Sequence, residues 1–166
     1  MELLLHIISW LVFLYLGACT GYILVAAIAG KLYPKQIQPS SDHKLPIAIL
    51  IPAYKDDNVI IHTAAAAANQ SYPSDRFHVF VLADQLQPHT CTQLSQIPGV
   101  TVMNMQFDLS TKAKSLLHAL SRLDAARFPI TLILDADNIM SDGCLDQINT
   151  RFLGGAKAVQ CHRTAK

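Results

Sequence analysis

Acidic residues stand where apolar runs end. Thr131-Leu132-Ile133-Leu134 leads straight into Asp135-Ala136-Asp137. His78–Ala83 leads into Asp84, and Ile47–Ala53 leads into Tyr54, Asp56 and Asp57. In an extended chain, residues i and i+2 point to the same side, so Asp135 and Asp137 are expected side by side. Two such carboxylates repel each other unless a cation intervenes. Hard oxygen ligands suit Mg²⁺ or Mn²⁺. A cation of this kind keeps waters and takes the rest of its shell from substrate phosphates. The chemistry these residues point to is a metal–diphosphate site. The plainer reading of any one acid is a cap, closing a turn or starting a helix. Acids after three separate strands favour a site.

The elements that must position them alternate. Ile47–Ala53 is a continuous apolar run and is predicted as a buried strand. Strands are also predicted over His78–Ala83, Val100–Met105, Thr131–Leu134 and Ala156–Gln160. Helices are predicted over Asp57–Gln70, Pro88–Gln96, Thr111–Ala126 and Asp142–Phe152. Ala64–Ala68 is a strong helix former, and Asp142 is a candidate N-cap. Repeated β-α units with apolar strands predict an α/β fold, a mostly parallel sheet with helices on its faces. In such sheets ligands bind beyond the carboxyl ends of the strands, which is where the acids lie.

The chain has 166 residues, 51% of them apolar and 15% charged. The apolar excess is local, with 23 apolar residues among the first 30. Leu3 to Gly30 contains no Asp, Glu, Lys or Arg, and about 20 helical residues suffice to cross a bilayer. A cleaved signal peptide is the rival, and Ala27-Ile28-Ala29 mimics a cleavage site. No Lys or Arg precedes the run, however, and it exceeds the roughly 7–15 apolar residues usual in such a peptide. The expected organisation is a transmembrane anchor over 1–30, a polar linker over 31–45 and a folded domain over 46–166. Lys31, Lys35 and Lys44 follow the span and only Glu2 precedes it, which places the domain in the cytoplasm as a single-pass protein.

Other chemistry is disfavoured. Thirteen basic residues against twelve acidic ones leave a net charge of +1, so no nucleic acid is expected as a partner. Neither G-x-G-x-x-G nor G-x-x-x-x-G-K-[ST] occurs, against dinucleotide and P-loop binding. No G-x-S-x-G elbow occurs. Cys19, Cys91, Cys144 and Cys161 form no C-x-x-C pair, so neither a zinc pattern nor a disulfide framework is read. On a strand, Cys161 and His162 would face opposite ways, against a catalytic pair.

The ordered set of motifs resembles the family 2 glycosyltransferases, which have a GT-A fold and often a membrane anchor. Ile49-Leu50-Ile51-Pro52-Ala53-Tyr54-Lys55-Asp56 resembles the opening I-P-A-Y-N-E strand. Asn69-Gln70-Ser71-Tyr72-Pro73 resembles the stretch at the first helix end, and Val79–Asp84 the second strand with its nucleobase-contacting acid. Lys112-Ala113-Lys114, with Leu116 and Ala119-Leu120, resembles the K-x-K-A-L-N-x-A-L helix start. Leu134-Asp135-Ala136-Asp137-Asn138 resembles the D-x-D segment, and Ala158-Val159-Gln160 the strand after it. Departures are Lys55-Asp56 for Asn-Glu, Gln85-Leu86-Gln87 for D-x-S-x-D, and no Asn near Leu117.

The resemblance implies a hexosyltransferase-like enzyme that uses a nucleotide-diphosphate sugar, commonly a UDP-sugar, and Mg²⁺ or Mn²⁺. By position it implies that Pro52, Ala53, Tyr54 and Asp56 hold the nucleotide, and that Asp84 accepts from its base or ribose. Lys114 meets a phosphate or is a solvated helix-face lysine. Asp135 contacts the ribose or sugar and the metal, and Asp137 ligates the metal. The family's acceptor half and its general base follow this region, and no residue here matches the base by motif. The 46–166 segment is therefore expected to be a donor-binding half with the acceptor half absent. The alternative is a non-catalytic module that binds a nucleotide or a partner. A nucleotidyltransferase also uses strand-end carboxylates, but the lack of a Gly-rich loop after the first strand disfavours it.

Overall fold

The computed structural model describes residues 1–32 and 41–162. The chain divides into two compact units, Met1–Ile37 and Gln38–Lys166. In the first, α1 (Glu2–Leu32) is a single helix of 31 residues with none of them buried. It is long and apolar enough to cross a membrane. The linker expected over 31–45 falls largely on 33–40, outside the described residues.

The second unit is an α/β domain. Its strands are β1 (Ile47–Tyr54), β2 (Phe77–Asp84), β3 (Val100–Met105) and β4 (Ile130–Ile133). They form one sheet in the order β3-β2-β1-β4, and every ladder is parallel. The helices are α2 (Ile60–Ala68), α3 (Pro88–Ser95), α4 (Lys112–Leu120) and α5 (Cys144–Leu153). Residues alternate across a strand, and β1 shows this directly. Ile47, Ile49, Ile51 and Ala53 face a core shared with Ile60 and Ala64 of α2, Leu94 of α3, and Leu145 and Ile148 of α5. Leu50 faces the other way, into a cluster with Leu82, Met105 and Ala119 of α4. Ile47 to Ile51 are fully buried, as expected of a central parallel strand. The edge strands are less covered, and Ile133 on β4 is half exposed.

The domain's entry is clamped to α5. Asn149 is fully buried; its Oδ1 accepts from the Leu45 N–H at 3.0 Å and its Nδ2 donates to the His43 carbonyl at 2.8 Å. Lys44 pairs with Asp146 at 2.5 Å. The Tyr72 hydroxyl donates to the Leu45 carbonyl at 2.8 Å. Burial, and secondarily the charge of Asp146, pushes that hydroxyl up to about 12, so it remains a donor at neutral pH.

Four expectations are corrected. The helix predicted over 57–70 covers only Ile60–Ala68, because Asp57, Asn58 and Val59 form a turn whose following amides return to the Asp56 carbonyl. The helix predicted to Ala126 ends at Leu120; Asp124 Oδ1 captures the Ala126 N–H at 2.9 Å, a side-chain bond that competes with the helical ladder. Asp142 is not the N-cap of α5. Gly143 holds that place at φ 72, a left-handed conformation that suits glycine, and Asp142 instead accepts from the Ser71 and Gly143 amides. No strand forms over Ala156–Gln160. A short apolar run needs a paired edge to become a strand, and β4 is paired only with β1 among the described residues.

Candidate functional site

β1 and β2 end in register, Tyr54 beside Asp84. Both then turn through a non-glycine residue in the left-handed region, Lys55 and Gln85, each at φ 56. Such residues are uncommon and cost about 1–2 kcal/mol; they concentrate where the chain must aim a functional group. The Lys55 N–H ties the two turns together by donating to the Asp84 carbonyl at 3.1 Å. The first turn folds Asp56 back, so that its Oδ2 accepts from the Tyr54 N–H at 2.9 Å. Asp84 is almost fully buried, and its Oδ1 accepts from the Ser110 hydroxyl at 3.0 Å.

Asp135-Ala136-Asp137 lies directly after β4. The Leu134 N–H still donates to Leu50 of β1, and the Asn138 N–H closes a turn onto the Asp135 carbonyl. The two acids are therefore carried on a turn over 135–138 and not on an extended strand, which corrects the alternation argument. The turn is fixed from below. The buried Thr63 hydroxyl of α2 donates to the Ala136 carbonyl at 2.6 Å.

These segments surround one cavity of about 360 Å³. Pro52, Ala53, Tyr54 and Asp56 line it from β1, Asp84 from β2, and Asp135, Ala136 and Asp137 from the β4 turn. Ser110, Thr111, Lys112 and Ser115 line the opposite wall at the start of α4. A second cavity of about 630 Å³ shares Asp84 and is walled by Gln85, Leu86, Cys91, Asn104, Gln106 and Asp108. Burial raises the Cys91 thiol, away from the lowered range of reactive cysteines.

Of the sequence-predicted residues, seven of the eight meet at the smaller cavity. Lys114 does not; its ammonium donates to the Leu109 carbonyl at 2.8 Å. Lys112 stands at the cavity instead and pairs with Asp135. Sequence alone does not single out Lys112 because both lysines open the same helix; the signal available was Thr111, whose hydroxyl caps α4 by accepting from the Lys114 N–H and so sets the helix rotation. Asp57 is a cap and lines neither cavity. Its carboxylate is held below the usual range by the Thr90 hydroxyl first and the Gln87 N–H next.

Among the described residues, no group of three or more His, Cys, Asp or Glu is placed to hold a metal. The two carboxylates on one turn do fit a hard cation that completes its shell with water and phosphate oxygens. They do not fit a dedicated all-protein cage.

Residues 43–166 match the family described as Glycosyltransferase like family 2. No curated protein matches the chain. Among solved structures, the mannosyltransferase PcManGT from Pyrobaculum calidifontis, in complex with GDP-Man and Mn²⁺, is similar with a TM-score of 0.62 at 19% identity; the match covers 76% of this chain and 39% of that one. TarS 1-349 from S. aureus is similar with a TM-score of 0.55 at 17% identity, covering 67% of this chain and 33% of that one. The chain thus spans about a third to two fifths of these proteins, and at such identities the likeness is one of fold.

Proposed function

We propose, from the premise that this chain belongs to the glycosyltransferase-like family 2, that its cavity binds a nucleotide-diphosphate sugar for metal-dependent transfer to an acceptor hydroxyl. The observation that carries this reading is convergence: acids from the ends of β1, β2 and β4 surround one cavity. A parallel sheet presents its ligand site at those ends. In this reading Pro52, Ala53, Tyr54 and Asp56 hold the nucleotide, Asp84 accepts a hydrogen bond from its base or ribose, and Asp135 and Asp137 hold Mg²⁺ or Mn²⁺. Asp84 is pre-oriented by Ser110, and Asp56 by the Tyr54 N–H, so little ordering is left for the ligand to impose. When a sugar–oxygen bond breaks, charge gathers on the departing diphosphate, and a divalent cation at Asp135 and Asp137 offsets it.

We further propose a UDP-sugar as donor, since uridine diphosphate is the common nucleotide of the resembling family. We propose α1 as a single-pass anchor with the domain in the cytoplasm, supported by its length and by Lys31 at its end. The test is calorimetric titration of the full chain in detergent with UDP and with GDP, each with Mn²⁺ and with a chelator. UDP binding that requires Mn²⁺ is expected. Binding unchanged by the chelator, or no binding of either nucleotide, overturns the reading.

A further inference from the structure

Asp135 is the more enclosed of the two acids in the proposed metal site, and it already holds a cation. Lys112 Nζ lies against its Oδ1, while the Asn138 amide donates to its Oδ2 at 3.3 Å. Lys112 is the first residue of α4. A positive side chain at a helix N-terminus is opposed by the helix dipole, so the location is unfavourable for an ammonium without an acid nearby. The other lysine of this turn, Lys114, is committed to a backbone carbonyl. Lys112 and Asp135 are about half and one third exposed respectively, so the pair is open to exchange.

We propose that Lys112 makes metal and nucleotide binding mutually dependent. This rests on the donor-site reading above. In the resting cavity the ammonium occupies the carboxylate oxygen that a divalent cation needs. A cation arriving alone must displace it and leave the ammonium without a partner beside a second positive charge. A diphosphate arriving in the same cavity supplies new oxygens for the displaced ammonium, so Asp135 is released to the metal at little cost. Each ligand therefore raises the affinity of the other, and by linkage the two factors are equal. Cation binding without nucleotide is suppressed.

The experiment uses the full chain in detergent and measures free Mn²⁺ by electron paramagnetic resonance and UDP binding by calorimetry. Lys112→Met keeps the length of the stem and removes the charge; Lys112→Arg keeps the charge. Mn²⁺ alone is expected to bind Lys112→Met about fivefold more tightly than the native chain, the upper end of what an exposed ion pair opposes. UDP with Mn²⁺ is expected to bind that variant about tenfold more weakly. Lys112→Arg should keep the native coupling, and circular dichroism of both variants should match the native chain. Equal Mn²⁺ affinity in the native chain and Lys112→Met overturns the role of Lys112 while leaving the donor site standing. A native chain that binds neither Mn²⁺ nor UDP overturns both.

Discussion

Asp137→Asn is expected to lower the affinity for UDP in the presence of Mn²⁺ by about 100-fold, or about 2.7 kcal/mol, with no loss of stability. The two halves of that result have separate causes. Asp137 is exposed on the turn, and among the described residues its carboxylate makes no hydrogen bond or ion pair. Nothing in the fold depends on its charge. A neutral amide is a much poorer ligand for a hard cation than a carboxylate, so a proposed metal site reduced to Asp135 loses most of its hold. Thermal unfolding and calorimetry on the same preparation separate the two effects. A variant that binds UDP and Mn²⁺ as well as the native chain removes Asp137 from the site. The equivalent change at Asp135 is less clean, because it also strips Lys112 and Asn138 of their partner.

Asn149→Ala is expected to be the costlier change for the fold, at about 3 kcal/mol. The amide is fully buried and serves two backbone groups at once, the Leu45 N–H and the His43 carbonyl. Removing it strands both and leaves a small void; an unsatisfied buried group costs about 1–3 kcal/mol, and a void adds to that. The neighbouring ties, Lys44 to Asp146 and Tyr72 to Leu45, hold the same segment, which limits local rearrangement. A fall in midpoint temperature of about 10 °C is the measurable consequence. A shift below about 2 °C would mean that the entry to β1 is not held by this amide. None of these groups lines the cavity, so nucleotide affinity of the folded chain should be unchanged.

The features legible in the sequence are those with a one-dimensional signature. β1 is an uninterrupted apolar run, and β3 an apolar run broken only by Thr101 and Asn104; the positions of both follow from those patterns. The acids at the strand ends were locatable because a parallel sheet always puts the same end of each strand on the site side. What escaped depends on rotation or on distant partners. Lys112 and Lys114 are two residues apart on one helix, and which of them meets the cavity is set by where Thr111 starts the first turn. Asp57 and Asp84 both follow strands, yet one caps α3 through Gln87 and the other is buried beside Ser110. Thr63 reads as one polar residue in an alanine-rich helix, and only the packing of α2 under the β4 turn gives its hydroxyl the Ala136 carbonyl. Gly143 outranked Asp142 because the chain needed a left-handed residue there more than a side-chain acceptor.

The strand order also dictates a timetable. β2 can pair with β1, and β3 with β2, soon after each is made, since they are successive in the chain. β4 pairs with β1, Ile47 beside Ile130, and must wait while two other strands and their helices intervene. Ladders that close long loops form slowly. The β4 turn with Asp135 and Asp137 is then the last part of the cavity to arrive during folding. Pulsed hydrogen exchange during refolding should show the Leu134 amide, bonded to Leu50, protected after the amides of β2; simultaneous protection would mean that the sheet closes in one step. Until that late closure, β1 presents an unpaired apolar edge, and the growing chain carries a sticky surface where the turn with Asp135 and Asp137 will later sit.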